Sequence, residues 1–371
     1  MNVEAGFASS ATSAAAPAVR GAANPSAARR RTSAYGAAVR DLWRPIETLP
    51  ESLTALHHAV MRYATLAPTH RNAQPWMMHV LDGELVIHPD FTRRVPCADV
   101  DDESLFMGLG CAAENAGITA RALGLRGDVA FHPAGRGGLK IDLGSAQRIE
   151  PSALFHAIPK RHSAPGPYEQ RSPCAAELAP LQRCGADLGV DIVLVSDRPG
   201  IERLAAVLEA AHRIRGADPA LRAELKSWTR FTEHEVLQRR DGLFTRCSGA
   251  HAAARWLGPS LEDWLLSGPS NGVRAAERAR ASGGFAVLFG AGREPRHWVQ
   301  VGRACERVLL HATALNLRAA VVNEPIEIRA TRLELAAELG SHSRLPGALI
   351  RFGYGAAGLP SLRRPLGQIL L

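Results

Sequence analysis

Apolar positions recur along the chain at two spacings, and these divide it into helices and strands. Leu53, Leu56, Val60 and Tyr63 fall three and four apart, which predicts an amphipathic helix over residues 50–66. Residues 76–81 and 85–88 read as strands joined by Asp82-Gly83, a dipeptide suited to the tight turn of a hairpin. The acidic run 99–103 suits a helix start, where carboxylates meet the positive end of the dipole; the helix is predicted over 104–123, ended by Gly124. A second strand pair is expected at 129–132 and 139–143, and 285–290 reads as a buried strand. Over 296–317, Trp298, Val301, Cys305, Val308, Ala312 and Leu315 give one apolar helical face, and a last strand is expected at 348–352. Helices interspersed with strand pairs predict an α+β fold.

A repeat runs through this pattern. Residues 107–126 align with 299–318 at an offset of 192 and share eight identities in twenty positions, among them Gly110/Gly302, Ala112/Ala304 and Glu114/Glu306. A second echo pairs Ala55-Leu56-His57-His58-Ala59 with Ala153-Leu154-Phe155-His156-Ala157. One such match could be chance between alanine-rich helices. Two in the same order favour a duplicated unit of helix, strands, long helix and strand. The copies are not equal: Tyr63 stands where the second copy has Arg161, and the second copy has no counterpart of the polar loop after residue 66. The expected organisation is an extension (1–45), a first half (46–150) and a second half (151–371). Residues 217–283 are an insertion within the second, either a lid or an added helical layer; Trp228, Trp256 and Trp264 fall in it.

Composition narrows the function. A chain of 371 residues, 46% apolar and 22% charged, can bury a sizeable core. The net charge of +8 is almost wholly arginine, dispersed except at Arg29-Arg30-Arg31, so no basic stripe marks a nucleic-acid partner. The six cysteines make no C-x-x-C pair, which argues against a zinc site or redox dithiol and suits a reducing cytoplasm. No apolar run approaches the roughly 18 residues of a membrane span. The first 45 residues are rich in Ala, Ser and Arg and read as disordered, and the arginine triplet is followed by too short an apolar stretch to be an export signal. Histidines show no H-x-x-x-H pattern with a nearby carboxylate, and no G-x-G-x-x-G, Walker or G-x-S-x-G pattern occurs, so no metal site and no catalytic triad is expected. Glu306 is expected to be solvated or paired, and Arg351, inside a buried strand, to be held in a salt bridge.

The densest polar segment is the loop Ala67-Pro68-Thr69-His70-Arg71-Asn72-Ala73-Gln74-Pro75-Trp76. By composition it could be no more than a polar loop before a strand. Its A-P-T-x-x-N-x-Q-P-W pattern, however, resembles the flavin-contacting loop of the nitroreductase family of FMN-dependent oxidoreductases. The stretches 301–304 and 349–355 are similar to a fused, lidded subfamily. The resemblance covers about residues 50–370 and implies a nitroreductase-like fold built from two fused halves. It implies FMN as cofactor, with Pro68, Thr69, Asn72 and Gln74 lining the flavin and Arg161, Ser163, Arg363 and Arg364 holding its phosphate. Pro325-Ile326-Glu327 resembles the family's P-x-E-G segment near flavin N5, with Ile328 in place of the glycine. The activity implied is hydride transfer from NAD(P)H to a small acceptor such as a nitroaromatic or quinone, with no catalytic acid or base. The alternative is a protein that stores or sequesters flavin under the lid. One chain would imitate a homodimer, as a monomeric pseudo-dimer or a weak dimer, with one complete FMN site because Tyr63 removes the second grip.

Overall fold

In the computed structural model, residues 33–248 and 270–371 are described, apart from residues 135, 147, 170 and 342. Trp256, Trp264 and the arginine triplet lie outside them. The first part of the chain forms α1 (Ala34–Leu42), α2 (Leu53–Thr65), β1 (Trp76–Leu81), β2 (Glu84–Pro89), α3 (Glu103–Ala122), β3 (Val129–His132) and β4 (Gly138–Asp142). Next come α4 (Ala153–Ala157), α5 (Ala175–Arg183), β5 (Asp191–Val195) and α6 (Arg198–Ala217). The insertion follows as α7 (Pro219–Ser227), β6 (Thr229–Arg230), α8 (Glu233–Arg239), β7 (Leu243–Phe244) and α9 (Ser270–Arg280). The chain ends in β8 (Gly284–Phe289), α10 (Pro295–Ala314), β9 (Arg318–Val321), α11 (Glu324–Glu327), α12 (Arg329–Glu338) and β10 (Ala348–Gly353). The fold is α+β. Among the described residues no helix is long and apolar enough to cross a membrane.

Two four-stranded antiparallel sheets carry the architecture, in the orders β1-β2-β4-β3 and β5-β8-β10-β9. Counted along each sheet's own segment of chain, both orders read first, second, fourth, third. The β1–β2 hairpin turns on Asp82 and Gly83, both at positive φ (51° and 75°), the geometry of a two-residue turn that matches strand twist. In α3, Asp99 rather than the residue before the helix provides the cap: its carboxylate accepts from the Ser104 and Leu105 N–H groups at 2.9 and 3.0 Å. The strands of the second sheet's centre, β8 and β10, are buried along their whole length because α6 and α9 cover the face turned away from α10.

The centre of the molecule is the crossing of α3 and α10. A Cβ at Gly110 would stand 2.2 Å from the Val299 carbonyl oxygen, and one at Gly302 2.1 Å from that of Met107. These contacts are reciprocal in the alignment that pairs residue 107 with 299 and 110 with 302. One continuous core runs from Met78 and Ile87 through Leu109 and Val308 to Leu288 and Ile350.

Two expectations are corrected. The segment read as disordered up to residue 45 carries α1, held by an N-cap from Ser33 and by the Trp43 indole, which donates to the Ser361 carbonyl at 3.0 Å. Its alanine-rich pattern gives too weak a helical signal alone; burial of Tyr35 and Trp43 fixes it. Arg351 is buried but finds no carboxylate. Its guanidinium donates to Ser282 Oγ and to the Pro165 and Gly166 carbonyls, and it stacks 4.1 Å over the Tyr168 ring.

Candidate functional site

A cavity of about 310 Å³ lies above the α3–α10 crossing, where Met107, Gly108 and Cys111 of one helix and Cys305 and Leu309 of the other line it. Its size is at the lower end of what small-ligand sites occupy. The 217–283 segment contributes Leu225, Gly242, Leu243 and Phe244 to the same walls.

The loop after α2 enters the cavity in a strained form. Arg71, Asn72 and Gln74 all sit at positive φ (49°, 53° and 53°), a backbone region costing on the order of 1–3 kcal/mol for each such residue. Side chains hold it there. The Thr69 hydroxyl accepts from the Gln74 N–H at 3.0 Å, and the Asn72 amide donates to the Gly242 and Leu362 carbonyls at 3.2 and 3.1 Å. Gln74 is fully buried: its amide donates to the Asn72 and Arg240 carbonyls, and its Oε1 accepts from the Arg364 N–H at 2.7 Å. Arg71 pairs with Glu224 of α7 at 2.9 Å. The 217–283 segment is thus fastened to this loop at several points. Asp241 ties it to the segment after β2, accepting from Arg93, and also accepts from Arg230.

Two charged groups line the cavity. In the first, Arg161, His162 and Ser163 follow α4 and are set beside β9 by the Ala164 N–H, which donates to the Ala319 carbonyl at 3.1 Å. Arg161 Nη2 donates to the Leu66 carbonyl at 2.9 Å, while its buried Nε has no hydrogen-bond partner. His162 is pushed down to about 3 by burial and by Arg161, so it is neutral; its Nδ1 is buried and unpartnered, and its ring meets Trp43 edge-on at 4.4 Å. Arg363 also lines the cavity, but every nitrogen of its guanidinium is occupied. It donates to the Thr65, Leu66 and Ala67 carbonyls at the end of α2, to the Leu362 carbonyl and to Ser361. Burial and the Arg161 charge draw it down to about 9.

The second group is His70, Arg71, Arg215, Glu324 and Glu327. Arg215 Nη1 stands 3.4 Å from Glu324 Oε1 and 4.0 Å from Glu327 Oε2. Burial pushes Glu327 up to about 7 against the pull of Arg215, and its Oε2 has no hydrogen-bond partner. His70, 3.6 Å from Glu327, is pushed down to about 3 by burial and Arg71, so the two do not form an ion pair at neutral pH. Arg71 Nη2 is likewise buried without a partner.

Of the residues singled out from the sequence, Pro68, Thr69, Asn72, Arg161, Ser163, Glu327 and Arg363 line the cavity. Gln74, Pro325 and Arg364 do not. Pro325 is buried in the first turn of α11, and Arg364 turns outward, donating to the Gln74 and Gln368 carbonyls. Missed were Trp43, Arg215, Glu324 and the two cysteines. Glu324 is adjacent to a quoted segment, but nothing in the sequence brings Trp43 or Arg215 here.

No family model matches the chain. It is similar to a protein of Mycobacterium tuberculosis provisionally named a NAD(P)H nitroreductase, at 26% identity over 324 residues, 84% of this chain and 90% of that one. A second, uncharacterised protein of the same organism is 25% identical over 71% of this chain and 38% of its own length. Among solved structures, an FMN-dependent nitroreductase from Mycobacterium smegmatis in complex with NADPH overlaps 58% of this chain and 96% of its own. Its TM-score is 0.38 at 16% identity. A nitroreductase with bound FMN from Desulfitobacterium hafniense overlaps 59% and 97%, with a TM-score of 0.38 at 12% identity.

Proposed function

We propose that the chain is an FMN-dependent oxidoreductase of the nitroreductase-like family. Residues 46–150 and 151–371 would be two fused halves that together build one cofactor site, with 217–283 as its lid. The observation that carries this reading is that Arg161 and Ser163 line the same cavity as Pro68, Thr69 and Asn72 of the A-P-T-x-x-N loop. A guanidinium and a hydroxyl side by side are donors suited to a phosphate. Sequence similarity to a NAD(P)H nitroreductase over most of both chains supports the same reading.

In this proposal Arg161 and Ser163 hold the phosphate, while Arg363 fixes the end of α2 behind them. Pro68 and Thr69 wall the ring slot. Asn72 and Gln74 act at one remove by holding the loop to the lid, and Arg364 by bonding Gln74. Pro325 keeps α11 in place so that Glu327 faces the cavity. When bound, FMN would supply hydride transfer through N5 from NAD(P)H to a small acceptor such as a nitroaromatic or quinone. The insertion limits how large that acceptor can be, because Leu225 and Phe244 already line the space. The place related by the repeat offers no second grip. There Tyr63 stacks on Phe155 at 5.4 Å, and Glu114 is occupied by Arg303 and Arg307. The absence of disulfides among the six cysteines suits a cytoplasmic setting. The fused halves remove the need for a second copy, so a monomeric pseudo-dimer or a weak dimer is expected.

The test is anaerobic mixing of the FMN-loaded protein with NADPH, following the flavin band near 450 nm. Bleaching is expected. A yellow protein bleached by dithionite but not by NADPH would overturn the oxidoreductase reading in favour of flavin storage under the lid.

A further inference from the structure

Glu306 of α10 is the least compensated charge in the molecule's interior among the described residues. Its side chain has no exposure, and neither carboxylate oxygen has a hydrogen-bond partner. Its counterpart in the repeat, Glu114, is held by Arg303 and Arg307 at 2.8 and 2.7 Å. Glu306 has only Arg161, whose Nε stands 3.5 Å from Oε1.

The groups facing it offer no further cation. From α3 come Asn115, whose amide donates to the Tyr63 carbonyl at 3.3 Å and is near enough to draw the Glu306 carboxyl down, the thiol of Cys111, and Glu114. Arg363 of the C-terminal segment is close enough to be felt, but its donors are spent on carbonyls and Ser361. His162, next to Arg161, is neutral. A phosphate arriving at Arg161 therefore meets a guanidinium that already has a buried carboxylate behind it. Two anions sharing one cation in a low-dielectric site cannot both remain ionised without a large cost.

Resting on the FMN reading above, we propose that Glu306 is a positioning residue of the phosphate site: phosphate and carboxylate compete for Arg161, and the phosphate binds with uptake of one proton at Glu306. In charge terms, the Arg161–Glu306 pair and a phosphate dianion combine with one proton to leave neutral Glu306 and an Arg161 committed to the ligand. Burial already holds Glu306 up at about 7, so the proton is lost at modest cost in alkaline solution and regained when the anion arrives. Affinity for FMN should then fall up to tenfold for each pH unit above neutrality, the slope of one linked proton.

The experiment is calorimetric titration of cofactor-free full-length protein with FMN at pH 8, in two buffers of different ionisation heat. The expected result is uptake of about one proton per FMN bound. Riboflavin, which lacks the phosphate, should bind with none, and Glu306→Gln should abolish the uptake and flatten the affinity between pH 6 and 9. FMN binding by the wild type without buffer-dependent heat, equal uptake with riboflavin, or unchanged uptake in Glu306→Gln would each overturn the proposal. Failure of FMN to bind at all would instead overturn the cofactor reading on which it stands.

Discussion

Gln74 shows how far a residue can matter to a cavity it does not touch. It joins the Asn72 and Arg240 carbonyls and the Arg364 N–H, so Gln74→Ala would leave the part-buried Arg240 carbonyl and Arg364 N–H without this partner, while the Asn72 carbonyl keeps the Gly242 N–H. We expect a loss of about 2–4 kcal/mol in urea unfolding and faster hydrogen exchange across residues 240–243. Exchange equal to wild type there would mean that the loop does not hold the insertion. Glu327 gives a pH signature of its own. Its carboxyl is raised from 4.5 to about 7 on folding, so its contribution is fully present below pH 4.5 and is lost as pH rises to about 7. Glu327→Gln should remove that decline and be more stable than wild type at pH 8, by up to about 3 kcal/mol, with little difference at pH 5. A pH-independent difference in urea midpoints would contradict the assignment. At this scale the sequence was informative about which residues gather, since the polar loop, Arg161 and Ser163 were all found in it. It was silent on which donors stay available. Arg363 looks like an anion ligand in sequence, yet it is consumed by the carbonyls that end α2, a partnership separated by almost three hundred residues.

Among elements, the α3–α10 crossing depends on two glycines, and their aligned positions were visible in the repeat. Gly110→Ala and Gly302→Ala each put a methyl into a backbone carbonyl, where a rigid partner cannot yield. Each should cost at least about 2 kcal/mol, and the two costs should be similar because the contacts are reciprocal. A variant within ~0.5 kcal/mol of wild type would show that the helices do not approach this closely. The hairpin at Asp82-Gly83 and helices α3 and α10 were legible because local rules decide them: turn chemistry and a 3.6-residue apolar period. Helix α1 was not, because nine residues are too few to hold a helix alone and it is fixed by Tyr35 and Trp43 docking on distant segments. The parallel β6–β7 ladder escaped for the same reason: two-residue strands have no pattern to read.

For the molecule as a whole, the two sheets have matching strand orders and the α3–α10 contacts are reciprocal in the alignment, which is what the proposal of two fused halves expects. In the proposed reading, one place has Arg161 beside the Glu306 carboxylate. The aligned place has Tyr63, and its carboxylate, Glu114, is paired with two arginines. The sequence repeat rests on glycine, alanine and glutamate identities, whereas the strand order and the different surroundings of Glu114 and Glu306 required the fold. The claim that joins these observations is one flavin site per chain, gripped by Arg161. It is tested most directly by titrating cofactor-free protein with FMN under flavin fluorescence, in wild type and Arg161→Ala. The account predicts saturation at one FMN per chain and a loss of affinity of about a hundredfold in Arg161→Ala, the scale of a charge-assisted phosphate contact. Saturation at two per chain, or unchanged affinity in the variant, would contradict it.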